Sequence, residues 1–214
     1  MNATLRSRGV SGLLLPRVWC VLVFAALPGL GCAVLNHNLR AVEPGAFYRS
    51  GQMPAGTLAR TLRRHGIRTV ISLRGAAPGE DWFRDEQAAC AAQGVAHHSL
   101  GWSKNALPDP ESLHVFMDLC RESEAPVLVH CQGGVHRSGV ASAIFVLLHD
   151  GSISDAREEL GLFFGGAPIG RLLDLYEGSG LTFADWASRE FPRIYERETG
   201  GASLPCPRVP CREV

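Results

Sequence analysis

The stretch from Pro126 to Leu148, PVLVHCQGGVHRSGVASAIFVLL, restricts the fold of this chain more than any other. An apolar run leads into His130 and Cys131. Two glycines, a second histidine, Arg137 and Ser138 follow, and then a second apolar run. Pro126–His130 reads as a buried strand, and Ser138–His149 as a helix apolar nearly all round, which belongs in the middle of a domain. A strand, a tight loop and a helix N-terminus in that order collect backbone N–H groups around an anion.

The residues inside the loop fit that geometry. Gly133 and Gly134 let the chain turn and bring amides close to a ligand. Arg137 adds a planar, permanently charged fork suited to phosphate oxygens. A free thiol ionises near pH ~8.5, and a helix N-terminus with a cationic neighbour lowers that value. The setting that binds phosphate therefore also makes a thiolate of Cys131.

Elsewhere, short apolar runs alternate with helical patterns from Val42 onward, which indicates one α/β domain. The expected architecture is a small central sheet, parallel at its core, flanked by helices on both faces. Strands are expected on both sides of the Pro44-Gly45 turn, over RTVISL and over VAHHSL. Helices are expected over PAGTLARTLRRHG, Trp82–Gln93, Glu111–Arg121, Ser154–Leu162, Ile169–Tyr176 and Thr182–Glu196.

The first 35 residues follow a different plan. Arg6, Arg8 and Arg17 precede Val18–Leu35, eighteen residues without a charge. A cleaved export signal, a lipoprotein signal ending at Cys32 and an uncleaved membrane helix all fit this pattern, and an anchor fits better than free secretion. Each reading places the domain outside the cytoplasm. The expected division is residues 1–35 as anchor or signal, 36–198 as the catalytic domain and 199–214 as an irregular tail. Without the leader's arginines, 18 basic residues face 21 acidic ones, a balance unsuited to nucleic acid.

Of the seven cysteines, Cys20 and Cys32 belong to the leader. Cys206 and Cys211 fall in the tail, where an oxidising compartment allows them to pair. Cys90 and Cys120 lie on apolar helix faces and read as small buried hydrophobes. No C-x-x-C occurs, so no metal-ligand spacing appears. That leaves Cys131.

The residues HCQGGVHRSG resemble the signature of the cysteine-based protein phosphatases, H-C-x-x-G-x-x-R-[S/T]. With FYRSGQMP, GIRTVISLRG, the Trp82–Glu86–Cys90–Gly94 spacing and APVLVHCQGG, the chain from about residue 42 to 162 is similar to the atypical dual-specificity phosphatases of bacteria, plants and fungi. The resemblance implies a phosphocysteine on Cys131 and no cofactor. Gln132, Gly133, Gly134, Val135 and His136 are then the loop positions that wrap the phosphate, with Arg137 on its oxygens. It also implies that Ser138 assists departure of the sulfur and that His130 orders the loop.

A general acid is expected on the loop before the Glu111 helix, where Asp109 is the nearest carboxylate. Asp109 reads equally as the N-cap of that helix, and Asp81 and Asp85 are rivals. Arg74, at the end of a strand, suits either phosphate steering or a surface ion pair. Tyr48–Gly51 is expected to shape the domain edge, and Trp102 and Lys104 to form a lid or a solvated loop. Relatives that cleave inositol pyrophosphates line this loop with lysine and arginine. Its neutral residues here point instead to a phosphoprotein or a small phosphomonoester. Two other classes share the loop's features: a phosphate-binding module without turnover, and a sulfurtransferase of the rhodanese kind.

Overall fold

The computed structural model describes residues 36–200. Five strands form one sheet in the order β1-β2-β5-β3-β4: β1 Arg40–Glu43, β2 Phe47–Gly51, β3 Thr69–Ser72, β4 Ala96–Ser99 and β5 Val127–Cys131. Only the β1–β2 pair is antiparallel. β2, β5, β3 and β4 run parallel, as short strands separated by helical crossovers must. β5 is central, and all five of its residues are buried, in keeping with the apolar run Val127–Val129 that leads into His130.

The pleat sends alternate residues to opposite faces and divides the core in two. On one face Val70 and Leu128 meet Leu58 and Leu62 of α1 (Ala55–His65) and Cys90 of α2 (Asp81–Ala91). On the other, Ile71, Val127 and Val129 meet Leu113, Phe116 and Met117 of α3 (Pro110–Glu122) and Val140 and Ile144 of α4 (His136–Leu148). Phe47 of β2 stacks on Phe145 of α4 at 4.1 Å between centroids, fixing that helix over the sheet. α4 is buried continuously from Ser138 to Phe145, as its all-round apolar sequence requires.

Four boundaries differ from the sequence reading. α4 opens at His136 rather than Ser138, so Arg137 already lies in its first turn. The helix expected over Ser154–Leu162 is shorter: α5 (Ile153–Glu158) is started by a Ser152 capping box, and the chain then turns at Gly161, φ 68°. Ile169–Tyr176 begins as a 3-10 turn (Pro168–Gly170) before α6 (Arg171–Tyr176). The helix expected over Thr182–Glu196 is two, α7 (Phe183–Arg189) and α8 (Phe191–Thr199). Pro192 cannot donate to the carbonyl four residues back, so the helix restarts rather than continuing.

Among the described residues no helix is long and apolar enough to cross a membrane. The leader, with Cys20 and Cys32, and the tail beyond residue 200, with Cys206 and Cys211, lie outside the described residues. A cavity of about 360 Å³ lined by Arg68, Thr69, Ala96 and His98 lies beside the first residues of β3 and β4. Cys131 ends its parallel neighbour β5, so the cavity and the cysteine loop are at opposite ends of the sheet.

Candidate active site

Cys131 is the last residue of β5, paired with Gly51 on β2. Strand order reverses at β5, whose two parallel neighbours come from earlier in the chain. Such a switch point, at the carboxyl ends of strands, is where open α/β sheets hold ligands. Residues 132–135 link Cys131 to α4 and form a cradle. Its carbonyls are tied away from the centre. Gln132 O accepts from the Gln52 amide at 3.1 Å, and Gly133 O from Asn38 Nδ2 at 2.6 Å. Gly134 O and Val135 O accept from Arg49 Nη2 at 3.1 and 3.2 Å. In a trans peptide the C=O and the next N–H point in opposite directions. Carbonyls held outward therefore turn the amides of Gly133, Gly134, Val135 and His136 inward.

The Gly134 amide shows the result, donating to Cys131 Sγ at 3.2 Å. The two loop glycines are not equivalent. Gly134 has φ 71°, and a Cβ there lies 2.5 Å from the Gly51 amide, so the position demands glycine. A Cβ on Gly133 meets nothing within 4 Å, so that position does not demand glycine.

Ser138 Oγ lies 3.5 Å from Cys131 Sγ, within reach of a sulfur hydrogen bond. Arg137 Nη1 donates to Leu73 O at 3.0 Å and Trp102 O at 3.3 Å. One end of its guanidinium is thus anchored to the segments after β3 and β4. Burial alone raises the Cys131 thiol. The Ser138 hydroxyl and amide, the Arg137 charge and the Gly134 amide outweigh it, and the thiol titrates below its ordinary value. Cys90 is the opposite case: burial and then the Glu86 charge push it up to about 12. Burial likewise raises Cys120.

A direct consequence concerns reactivity. Iodoacetamide should alkylate Cys131 first at neutral pH, and its rate should hold down to a lower pH than that of a free thiol, because the thiolate persists there. Peptide mapping of alkylation against pH checks this, and Cys90 and Cys120 should remain unlabelled at pH 7.

Asp109 stands at the start of α3, where its Oδ1 accepts from the Ser112 amide at 2.9 Å as an N-cap. No hydrogen bond joins it to Cys131, Arg137 or Ser138. Asp81 pairs with the exposed Arg84, and Asp85 is exposed on α2. Arg74 lies 3.5 Å over the Trp82 ring, within electrostatic reach of both Arg137 and Cys131. Trp102 is not a lid residue: it is 4% exposed and packs edge-on against Phe116. Lys104 is exposed and close enough to His136 to act on it electrostatically.

Tyr48–Gly51 does more than shape an edge. Arg49 is buried, joins the loop carbonyls to Glu159, and so acts as the outer clasp of the cradle. Glu86, which the sequence reading used only as part of the Trp82–Glu86–Cys90–Gly94 spacing and gave no role at the site, is 2% exposed and bonded to His130. Its signal was present: a carboxylate between Phe83 and Cys90 on the inward face of α2 has to be paired.

The fold and the cradle define a cysteine-based phosphatase domain of the tyrosine and dual-specificity class. Residues 36–160 match the family model described as "Swiss Army Knife protein, DSP-PTPase phosphatase domain", and the chain belongs to that family. It is 28% identical over 160 residues to the dual specificity protein phosphatase TpbA of Pseudomonas aeruginosa, covering 64% of this chain and 68% of that protein. It is 25% identical over 113 residues to the human dual specificity protein phosphatase CDC14C, covering 53% of this chain and 23% of that longer protein. The core catalytic domain of the PP-IP phosphatase SIW14 from S. cerevisiae shares the fold, with a TM-score of 0.52 at 19% identity over 79% of this chain and 95% of that one.

Proposed function

We propose that the protein hydrolyses phosphomonoesters through a phosphocysteine on Cys131. The observation that carries this reading is the position of Cys131 Sγ, bonded to the Gly134 amide and facing Ser138 at the mouth of α4. In the first step the thiolate attacks phosphorus, the S–P bond forms, and the P–O bond to the leaving group breaks. The inward amides of residues 133–136 and the free side of Arg137 hold the three remaining oxygens. In the second step water attacks phosphorus, a P–O bond forms as the S–P bond breaks, phosphate is released, and the water's proton passes to the carboxylate left by the acid of the first step. Ser138, donating to the sulfur, stabilises the returning thiolate.

This reading is favoured over a binding module or a sulfurtransferase by the complete cradle and the family. Its test is turnover of 4-nitrophenyl phosphate in EDTA and a reductant. Wild-type protein with no turnover would contradict it.

Asp109 is the residue we assign to protonate the leaving oxygen. Asn is as good an N-cap as Asp, so Asp109→Asn keeps the helix start and removes only the proton. The expected loss is selective: about a hundredfold in kcat on an alkyl phosphate, and much less on 4-nitrophenyl phosphate, whose leaving group needs no acid. Equal rates of mutant and wild type on both substrates would remove Asp109 from the mechanism.

The substrate we infer is a monoester of modest charge, such as phosphotyrosine, phosphothreonine or a small metabolite. Gln132, Gly133 and Val135 bring no charge to the loop. Burial and then the Lys104 charge lower the His136 imidazole, which disfavours its charged form. Arg137 is the loop's one permanent cation. For the leader we retain the proposal of an export or anchor segment, supported by the three arginines before its uncharged run. A reporter fused to the C-terminus should then be active outside the cytoplasm; activity inside would reverse that topology.

A further inference from the structure

Glu86 sits on α2, remote in sequence from the loop, and both of its carboxylate oxygens are engaged. Oε1 contacts His130 Nε2 at 3.0 Å and His97 Nε2 at 2.8 Å. Oε2 accepts from Gln52 Nε2. On its other side, Gln52 Oε1 accepts from Arg74 Nη1 at 2.9 Å. Burial by itself would raise Glu86, but the hydrogen bonds from His130, His97 and Gln52 hold it well below the usual carboxylate range. The group is therefore a carboxylate and accepts only.

That fixes the direction of every bond in the cluster. Both histidines must carry their proton on Nε2. An arginine only donates and a carboxylate only accepts, so Gln52 between them has one permitted orientation. The chain runs Arg74→Gln52→Glu86←His130. Both of its ends reach the active site. His130 immediately precedes Cys131, and its Nδ1 faces the Cys131 carbonyl at 3.4 Å. Arg74, held over the Trp82 ring, lies within electrostatic reach of Arg137 and Cys131. None of Glu86, Gln52 and His97 takes part in the two chemical steps.

We propose that Glu86 is a positioning residue for the reaction: it holds the Nε2–H of His130, and so the ring's orientation behind Cys131, and, through Gln52, aims Arg74 at the substrate phosphate alongside Arg137. The proposal rests on the phosphatase reading, and its variants make it separable from that reading.

Glu86→Gln changes one atom and preserves shape, yet it cannot satisfy the cluster. If the carbonyl of the new amide faces the histidines, its NH2 meets the NH2 of Gln52. Gln52 must then flip, and its NH2 faces Arg74, donor against donor. If that carbonyl faces Gln52, both histidines must give up their Nε2 protons. One arm breaks either way. The double variant Gln52→Glu with Glu86→Gln restores every donor–acceptor pair. The amide now at position 86 donates to the carboxylate now at position 52, which also accepts from Arg74. The carbonyl of that amide serves both histidines.

The expected result is a fall of about ten- to a hundredfold in kcat/KM for Glu86→Gln, with recovery to within about threefold of wild type in the double variant. A purely structural role gives no such recovery. Should Glu86→Gln fail to fold, Gln52→Met cuts the Arg74 arm, with its bond to Glu86 Oε2, and leaves both histidine contacts to Glu86 Oε1 in place. It should raise KM and the inhibition constant of inorganic phosphate about tenfold while leaving the rate of Cys131 alkylation unchanged. A folded Glu86→Gln with unchanged kcat/KM, a double variant no better than the single, or a Gln52→Met with unchanged phosphate inhibition would each overturn the proposal. Wild-type protein that neither hydrolyses 4-nitrophenyl phosphate nor is protected from alkylation by phosphate would instead overturn the phosphatase reading.

Discussion

Cys131→Ser should abolish turnover, lowering kcat by about 10⁴-fold or more, while leaving phosphate binding nearly intact. The two halves of this result come from different atoms. Binding depends on the inward amides and on Arg137, and a serine at the end of β5 disturbs neither, since it is smaller and buried in the same place. Chemistry depends on the nucleophile. The forces that lower the Cys131 thiol, namely the Ser138 hydroxyl and amide, the Arg137 charge and the Gly134 amide, act against a burial cost. A serine hydroxyl begins several units higher than a thiol, so the same forces leave it protonated at neutral pH. This variant has no thiol in the loop to alkylate, so its phosphate binding is read by calorimetry. Residual 4-nitrophenyl phosphate hydrolysis near the wild-type rate would place the nucleophile elsewhere.

Arg137→Lys should lower kcat by about 10²- to 10³-fold, although it conserves the charge. Arg137 spends one end of its fork on Leu73 O and Trp102 O, which aligns the guanidinium plane from outside. The remaining N–H groups are then preset for two phosphate oxygens. A lysine ammonium has one nitrogen and must choose between the anchoring carbonyls and the phosphate. It still supplies a cation near the thiol, so the rate of Cys131 alkylation should change far less than kcat does. A parallel collapse of both would mean that Arg137 acts chiefly on the thiol and not on the transferring phosphoryl group.

Those residues were legible because their relationships are local. Cys131, Gly134, Arg137 and Ser138 lie within eight positions of one another, and strand-loop-helix patterning alone puts them around a common centre. The α3 start at Asp109-Pro110 was legible for the same reason. What the sequence hid are contacts between distant segments. Arg49 reaches Gly134 across 85 residues, and Glu86 reaches His130 across 44. Each is set by sheet order: β2 and β3 flank β5, so Arg49 within β2 and Glu86 on the helix after β3 both come to the cysteine loop. Sequence patterning gives strands but not their order, and without the order Arg49 reads as an edge residue. The break between α7 and α8 had a visible cause in Pro192, which the apolar periodicity over Thr182–Glu196 concealed.

The central claim is that Cys131 takes the phosphoryl group. Rapid acid quenching of the wild-type enzyme during turnover of radiolabelled phosphosubstrate, followed by peptide mapping, addresses it directly. The account predicts one labelled peptide, that containing Cys131, with label that appears and decays at rates compatible with turnover and is missing in Cys131→Ser. Full turnover with no label on Cys131, or label on another residue, would contradict it.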